Sequence, residues 1–158
     1  SRSPRPAPPQ PRPMKIQIRD VLSLSGRDYV VEGLVLVQVA GMTSVVARAV
    51  DGADVLWIES PPDNDTALVL HKIRDLDLSP PPPESISYHG LPYVLRLAGR
   101  AALEIKGTVP ERTAGRAQLW RYRTAGDQIL QIEEENGQLF MLAGQSVHRG
   151  MIDHLPGR

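Results

Sequence analysis

The chain has 158 residues, 41% of them apolar, and its 18 basic side chains cancel its 18 acidic ones. That length suits one domain or two small halves sharing an interior, since a unit of about 60 residues buries only about 60% of its surface; the neutral balance offers no electrostatic case for nucleic acid. Absence of cysteine removes disulfides, thiolate metal sites and a cysteine nucleophile, and fits a reducing compartment.

Residues Ser1 to Pro13 carry six prolines and three arginines with no acid, a composition that favours extended polyproline II over a packed core. Arg5, Pro8, Pro11 and Arg12 have the spacing that polyproline grooves recognise, so this arm is a tether or a partner-binding segment. Seen in full, such a terminus would be docked, which favours an assembly component. The first residue is Ser1, so the chain reads as a processed product or an excerpt, and an anchor or domain ahead of it would go unseen.

Beyond the arm the pattern predicts strands and tight turns with little helical periodicity. Expected strands are Ile16 to Arg19, Tyr29 to Val39, Val45 to Val50, Ala53 to Ile58 and Ala67 to Lys72, with a short helix near Arg19 to Leu24. The longest apolar run, Val30 to Met42, is broken by Glu32 and Gln38 and is too short to span a membrane as a helix of about 20 residues. Asp51-Gly52 predicts a two-residue type I′ hairpin that pairs Arg48 with Val55 and Val46 with Trp57. Pro80 to Pro83 form a semi-rigid spacer.

After the spacer, Ser85 to Tyr88, Tyr93 to Leu97, Ala101 to Lys106 and Ser146 to Ile152 are expected strands. A three-residue loop, Ala125 to Asp127, aligns Trp120 and Tyr122 with Leu130 and Ile132, and an Asn136-Gly137 turn adds Leu139 and Met141 to that face. Those six form the predicted core of this half. Arg121, Arg123, Glu133, Glu135 and Phe140 fall on the opposite face, read as a charged outer surface. Gly33, Gly41, Gly99 and Gly107 mark strand ends or close backbone approaches.

Chemistry-bearing groups are sparse. Glu133 and Glu135 invite a glycosidase comparison, but at a hairpin end they read as solvated charge. His148 and His154 with Asp153 make the best metal candidate among four histidines, yet a site needs three or four convergent ligands, so surface or capping histidines are expected and no metal or cofactor is assigned. No serine sits in a Gly-flanked elbow, and no Gly-rich loop with lysine could cradle phosphate.

The chain also echoes itself: Gly26-Arg27-Asp28-Tyr29-Val30-Val31 in Gly90-Leu91-Pro92-Tyr93-Val94-Leu95, and Val55-Leu56-Trp57-Ile58-Glu59 in Ile129-Leu130-Gln131-Ile132-Glu133. Such a repeat makes positions that break the correspondence candidates for function. The stretch from Ser25 to Gly33, Leu56 to Glu59, the Gly90 to Tyr93 echo, Gly107-Thr108-Val109-Pro110, Leu130 to Glu134 and Leu142 to Val147 together resemble bacterial domain-of-unknown-function family 4178, whose β unit is often duplicated within one chain. The resemblance implies an all-β protein with no assigned reaction. Family members lie, in bacterial gene clusters, beside phage-shock-type membrane-stress proteins, small membrane proteins and a spermidine-synthase-like enzyme, which implies an envelope-associated accessory role. No site residues carry over, and the arm departs from the family pattern.

The expected fold is therefore all-β: two related antiparallel units, meander, sandwich or barrel-like, packed together over a shared interior. The bounds are an arm at 1–14, a first unit at 15–79, a spacer at 80–83 and a second unit at 84–158. The expected role is non-catalytic: an interaction or assembly module, an accessory subunit with a protein partner or a second copy, placed in the cytoplasm or at a membrane periphery. Arg5, Pro8, Pro11, Arg12, Arg121, Arg123 and Phe140 are its candidate contact residues. The alternatives are a small-ligand or glycan binder using Trp57, Tyr88, Tyr93 and Trp120 in a cleft between the halves, and a hydrolase using Glu133, Glu135 and His148.

Overall fold

The structure, a computed structural model, describes residues 15–60 and 65–157. Eleven strands run in chain order: β1 (Val21–Leu24), β2 (Arg27–Val39), β3 (Met42–Asp51), β4 (Asp54–Ser60), β5 (Thr66–Lys72), β6 (Ser85–Tyr88), β7 (Leu91–Gly107), β8 (Gly115–Arg123), β9 (Gln128–Glu135), β10 (Gln138–His148) and β11 (Asp153–Leu155). They form one antiparallel sheet in the order β11-β1-β2-β3-β4-β5-β10-β9-β8-β7-β6, and β2 also pairs with β7. That last ladder closes the eight strands from β2 round to β7 into a barrel, which removes most of the unpaired edge an open sheet would leave.

Period-two alternation explains how each strand serves two cores. One set of side chains fills the barrel: Val35, Val37, Val46, Trp57, Leu68, Leu70, Ala101, Leu103, Leu119, Ile129 and Leu142. Strands from both sides of the proline spacer contribute to it. The other set points outward into two clusters. Leu34, Ala47, Ala49 and Ile58 meet Leu22 of β1, Ile16 and Ile152. Trp120, Tyr122, Leu130 and Ile132 meet Ile86 and Tyr88 of β6 together with Ile73.

Turn chemistry sets most of the registers. Asn136-Gly137 has positive φ at both residues and joins Glu135 to Gln138, so Met141 faces Ile132 as predicted. Ala125 to Asp127 is the three-residue loop expected, with Trp120 opposite Ile132 and Tyr122 opposite Leu130. The first hairpin differs. Its loop is Gly52-Ala53, with Asp51 opposite Asp54, so Arg48 faces Trp57 and Val46 faces Glu59. Only Gly52 takes a positive φ there (61°), which is what a type II′ turn asks of its first central residue, whereas type I′ would demand it of two.

Four further expectations are corrected. Ile16 to Arg19 is a turn, closed by the Asp20 amide donating to the Gln17 carbonyl (3.1 Å), and no helix forms at Arg19 to Leu24, which contains β1. Tyr93 to Leu97 and Ala101 to Lys106 belong to one strand, β7, because pairing with β8 continues through Gly99 and absorbs a bulge between Leu95 and Leu97. Ser146 to Ile152 is interrupted by a 3-10 turn, Arg149–Met151, after which β11 adds to β1. Of the glycines, Gly33 is a true close approach: a Cβ there would collide with the Thr108 carbonyl and the Val109 side chain.

The C-terminal addition is fastened by Asp20, whose side chain is 5% exposed. It accepts from the Gly157 amide (2.8 Å) and the Gln17 amide (2.8 Å) and lies 2.5 Å from His154 Nε2. Burial raises the carboxyl, but the bonds from Gly157, His154 and Gln17 outweigh it and hold the group below the usual aspartate value. A folded-state pKa below the unfolded one contributes stability above the unfolded value, near 4, that is lost as pH falls through the folded value. Asp20→Asn is expected to cost about 1–3 kcal/mol at pH 7, with the gap to the parent chain closing below about pH 4 in urea melts.

Candidate functional site

The face that alternation left over in the second half is turned mostly inward. Barrel closure turns Arg121, Gln131, Glu133 and Phe140 inward beside Leu119, Ile129 and Leu142, and the Glu59 and Arg48 side chains join them from β4 and β3. The Glu133 side chain is 2% exposed, which overturns its expected solvated position.

A charged ladder results. Arg112 donates to both Glu133 oxygens (3.0 and 2.6 Å). Gln131 donates to Glu133 Oε2 (3.2 Å) and its own Oε1 accepts from Arg121 (2.9 and 2.6 Å). Arg121 then crosses the barrel to Glu59 Oε1 (2.7 Å). Gln131 can serve both neighbours because its amide presents an acceptor to the guanidinium and a donor to the carboxylate. A second group lies at the mouth, where Arg48 donates to Glu32 (2.6 Å) and to both Glu111 oxygens (2.8 Å each). The Glu111 bond raises the Arg48 guanidinium despite burial, so its charge is fixed.

Glu111 and Arg112 come from the β7–β8 loop, residues 108–114, which folds back over one end of the barrel. The Thr108 amide donates to the Glu32 carbonyl (3.0 Å), the Arg112 amide to the Val109 carbonyl (3.3 Å), and Val109 enters the interior cluster. Arg112 lies 4.5 Å from the Phe140 ring centre and Lys72 lies 5.5 Å from it. Between this loop and the β9–β10 hairpin opens a polar cleft of about 340 Å³, lined by Lys72, Arg112, Glu133, Glu135 and Phe140 among others. Buried ion pairs are a weak source of stability, since desolvation consumes most of the Coulomb gain. What the ladder supplies is geometric: it fixes the plug loop, β4, β8 and β9 in one arrangement.

The predicted contact residues separate. Arg121 and Phe140 face the interior, a correction forced by barrel closure, and Arg123 sits half-buried opposite Val94 and Ile129. Arg5, Pro8, Pro11 and Arg12 lie outside the described residues. Glu133 and Glu135, on β9, pair with Phe140 and Gln138 near the start of β10, about 26 and about 33 Å along that strand from His148 at its end, so the three do not converge. His148 caps the 3-10 turn by accepting from the Gly150 amide (3.0 Å), and His154 is held by Asp20. Among the described residues no group of three or more metal-ligating side chains gathers.

The aromatic cleft is also corrected. Trp57 (1% exposed), Tyr93 (3%), Tyr88 (8%) and Trp120 (8%) are core side chains, the first inside the barrel and the rest in an outer cluster. Tyr88 donates to Asp75 (2.6 Å); burial and that carboxylate push its hydroxyl up to about 12. Tyr122 donates to the Pro83 carbonyl (2.7 Å), pinning the proline spacer to β8. The signal for Arg48 and Glu59 was present in their parity with Trp57. Arg112 and Glu111 gave none, since they lie in a loop.

One family model, described as a domain of unknown function (DUF4178), matches residues 17–149. The chain belongs to this family. The match takes in β1 through β10 and ends one residue past β10, so β11 lies outside it. No curated protein and no solved structure matches the chain. The DUF4178 region thus comprises the whole barrel, the plug loop and both paired charge groups.

Proposed function

We propose that this DUF4178 domain is a non-catalytic interaction module, made of two copies of one five-stranded unit, that binds a protein partner or a second copy through its outer surfaces. The observation that carries the proposal is the pairing of the interior charges with one another. Arg112, Glu133, Gln131, Arg121 and Glu59 are consumed in holding the barrel, so neither an acid nor a base is left free there for chemistry. A hydrolase using Glu133, Glu135 and His148 would need groups that stand far apart, the two glutamates beside the start of β10 and the histidine at its end.

Support for two copies comes from register. Leu22 faces Tyr29 across β1–β2, and Ile86 faces Tyr93 across β6–β7. Bulges follow at Val31/Gly33 and at Leu95/Leu97, after which Gly33 faces Arg48 and Leu97 faces Arg121. Next, Arg48 faces Trp57 and Arg121 faces Gln131, so the echo of Trp57 and Glu59 in Gln131 and Glu133 falls at matching places. The family resemblance extends the proposal to an accessory subunit of a bacterial envelope-associated complex. Sedimentation of the full chain alone and with a partner recovered from its own cells tests it: a defined complex or dimer is expected, and a strict monomer that retains no partner at any concentration would count against it.

A further inference from the structure

The two-copy correspondence, on which this inference rests, also shows where the copies differ. In the first copy Leu36 faces Val45 across β2–β3, and both pack against the outer apolar cluster. The matching pair across β7–β8 is Arg100 facing Gln118, and one step further along Ala102 faces Arg116 where Gln38 faces Thr43. An apolar patch has become a cationic one. Arg100 and Arg116 are diagonal neighbours on one face, about 7–8 Å apart at Cα, with only alanine between Gln38 and Arg116 along that row.

Both arginines are exposed, and among the described residues neither makes an ion pair, whereas Arg27, Arg48, Arg112 and Arg121 all do. They stand beside a groove of about 290 Å³ lined also by Gln38, the Ala40-Gly41 turn and Ala102, with no carboxylate in its lining. On their other side a groove of about 480 Å³ runs under Pro80 and Pro81 and past Gln118 to Glu134. Glu134 and Glu104 are the acids that flank the pair from β9 and β7, and neither reaches ion-pair distance.

We infer that Arg100 and Arg116, with the Gln38 and Gln118 amides beside them, form a binding site for a phosphate group. Two guanidiniums present planar pairs of N–H donors that match phosphate oxygens, and the amides add neutral donors; a phosphate monoester carries close to two negative charges to answer them. The strand surface is rigid and the donors are unspent, so the arginines lose no internal partner on binding.

Titration of the full chain with inorganic phosphate, followed by the arginine Nε–Hε signals in NMR, reads this site without any protein partner and therefore separately from the proposed interaction role. Saturable shifts at Arg100 and Arg116 are expected. Arg100→Ala and Arg116→Ala should each weaken binding about tenfold, while Arg74→Ala should leave it unchanged. Glu134→Gln should tighten it, since a flanking negative charge is removed. Vesicles of phosphatidylcholine with phosphatidic acid separate the sources: capture that phosphate competes away points to a lipid headgroup, and phosphate binding without capture points to a soluble phosphate compound. Absence of binding in both arms, or equal weakening by Arg74→Ala, overturns the site.

Discussion

Truncating Glu133 to alanine is expected to destabilise the protein by about 3–5 kcal/mol, because it strands the Arg112 guanidinium, 5% exposed, without its carboxylate. Domains are stable by about 5–15 kcal/mol, so this one change removes a large share of the total. Replacing both partners together, Glu133→Leu with Arg112→Met, should recover most of the loss, since an apolar pair of similar volume avoids the desolvation cost. Urea midpoints of the parent, the single and the double variant check this. A single-variant cost under about 1 kcal/mol would mean that water reaches the pair, contrary to its burial.

Trp57→Ala is the second large effect, expected at about 3–5 kcal/mol from the cavity it opens inside the barrel. Trp57 meets Phe140 edge-on, with ring centres 5.4 Å apart, and Phe140 in turn carries Arg112 on its ring. The cavity should therefore loosen the plug loop as well as the core. A double-mutant cycle between Trp57→Ala and Arg112→Ala is expected to show coupling of about 0.5–3 kcal/mol. Additive losses would mean that loop and core are independent.

Strand positions were legible in the sequence wherever alternation met a glycine turn, as with Leu130 and Ile132 against Met141 across the Asn136-Gly137 hairpin. What alternation cannot carry is which face a closed sheet turns inward. Glu133 and Arg121 sit opposite the apolar Trp120, Tyr122 and Ile132 face, and in a two-layer protein they would be solvated. Only the ladders from β2 to β7 and from β5 to β10, both formed between residues far apart in sequence, enclose them. The partner of Glu133 was hidden for a different reason: Arg112 reaches it from a loop, where periodicity has nothing to say. The Gly52-Ala53 turn slipped because the sequence Asp-Gly serves type I′ better than it serves the type II′ adopted.

The ladder from β11 to β1 joins Leu155 to Val21, so a strand made after the whole barrel completes one made before it. With the barrel seam between β5 and β10 also waiting on later residues, the emerging polypeptide holds Leu22, Ala47 and Ile58 uncovered until β10 and β11 have been made. A nascent chain of this design relies on speed of completion, or on a chaperone, to keep those early strands from pairing with a neighbour's.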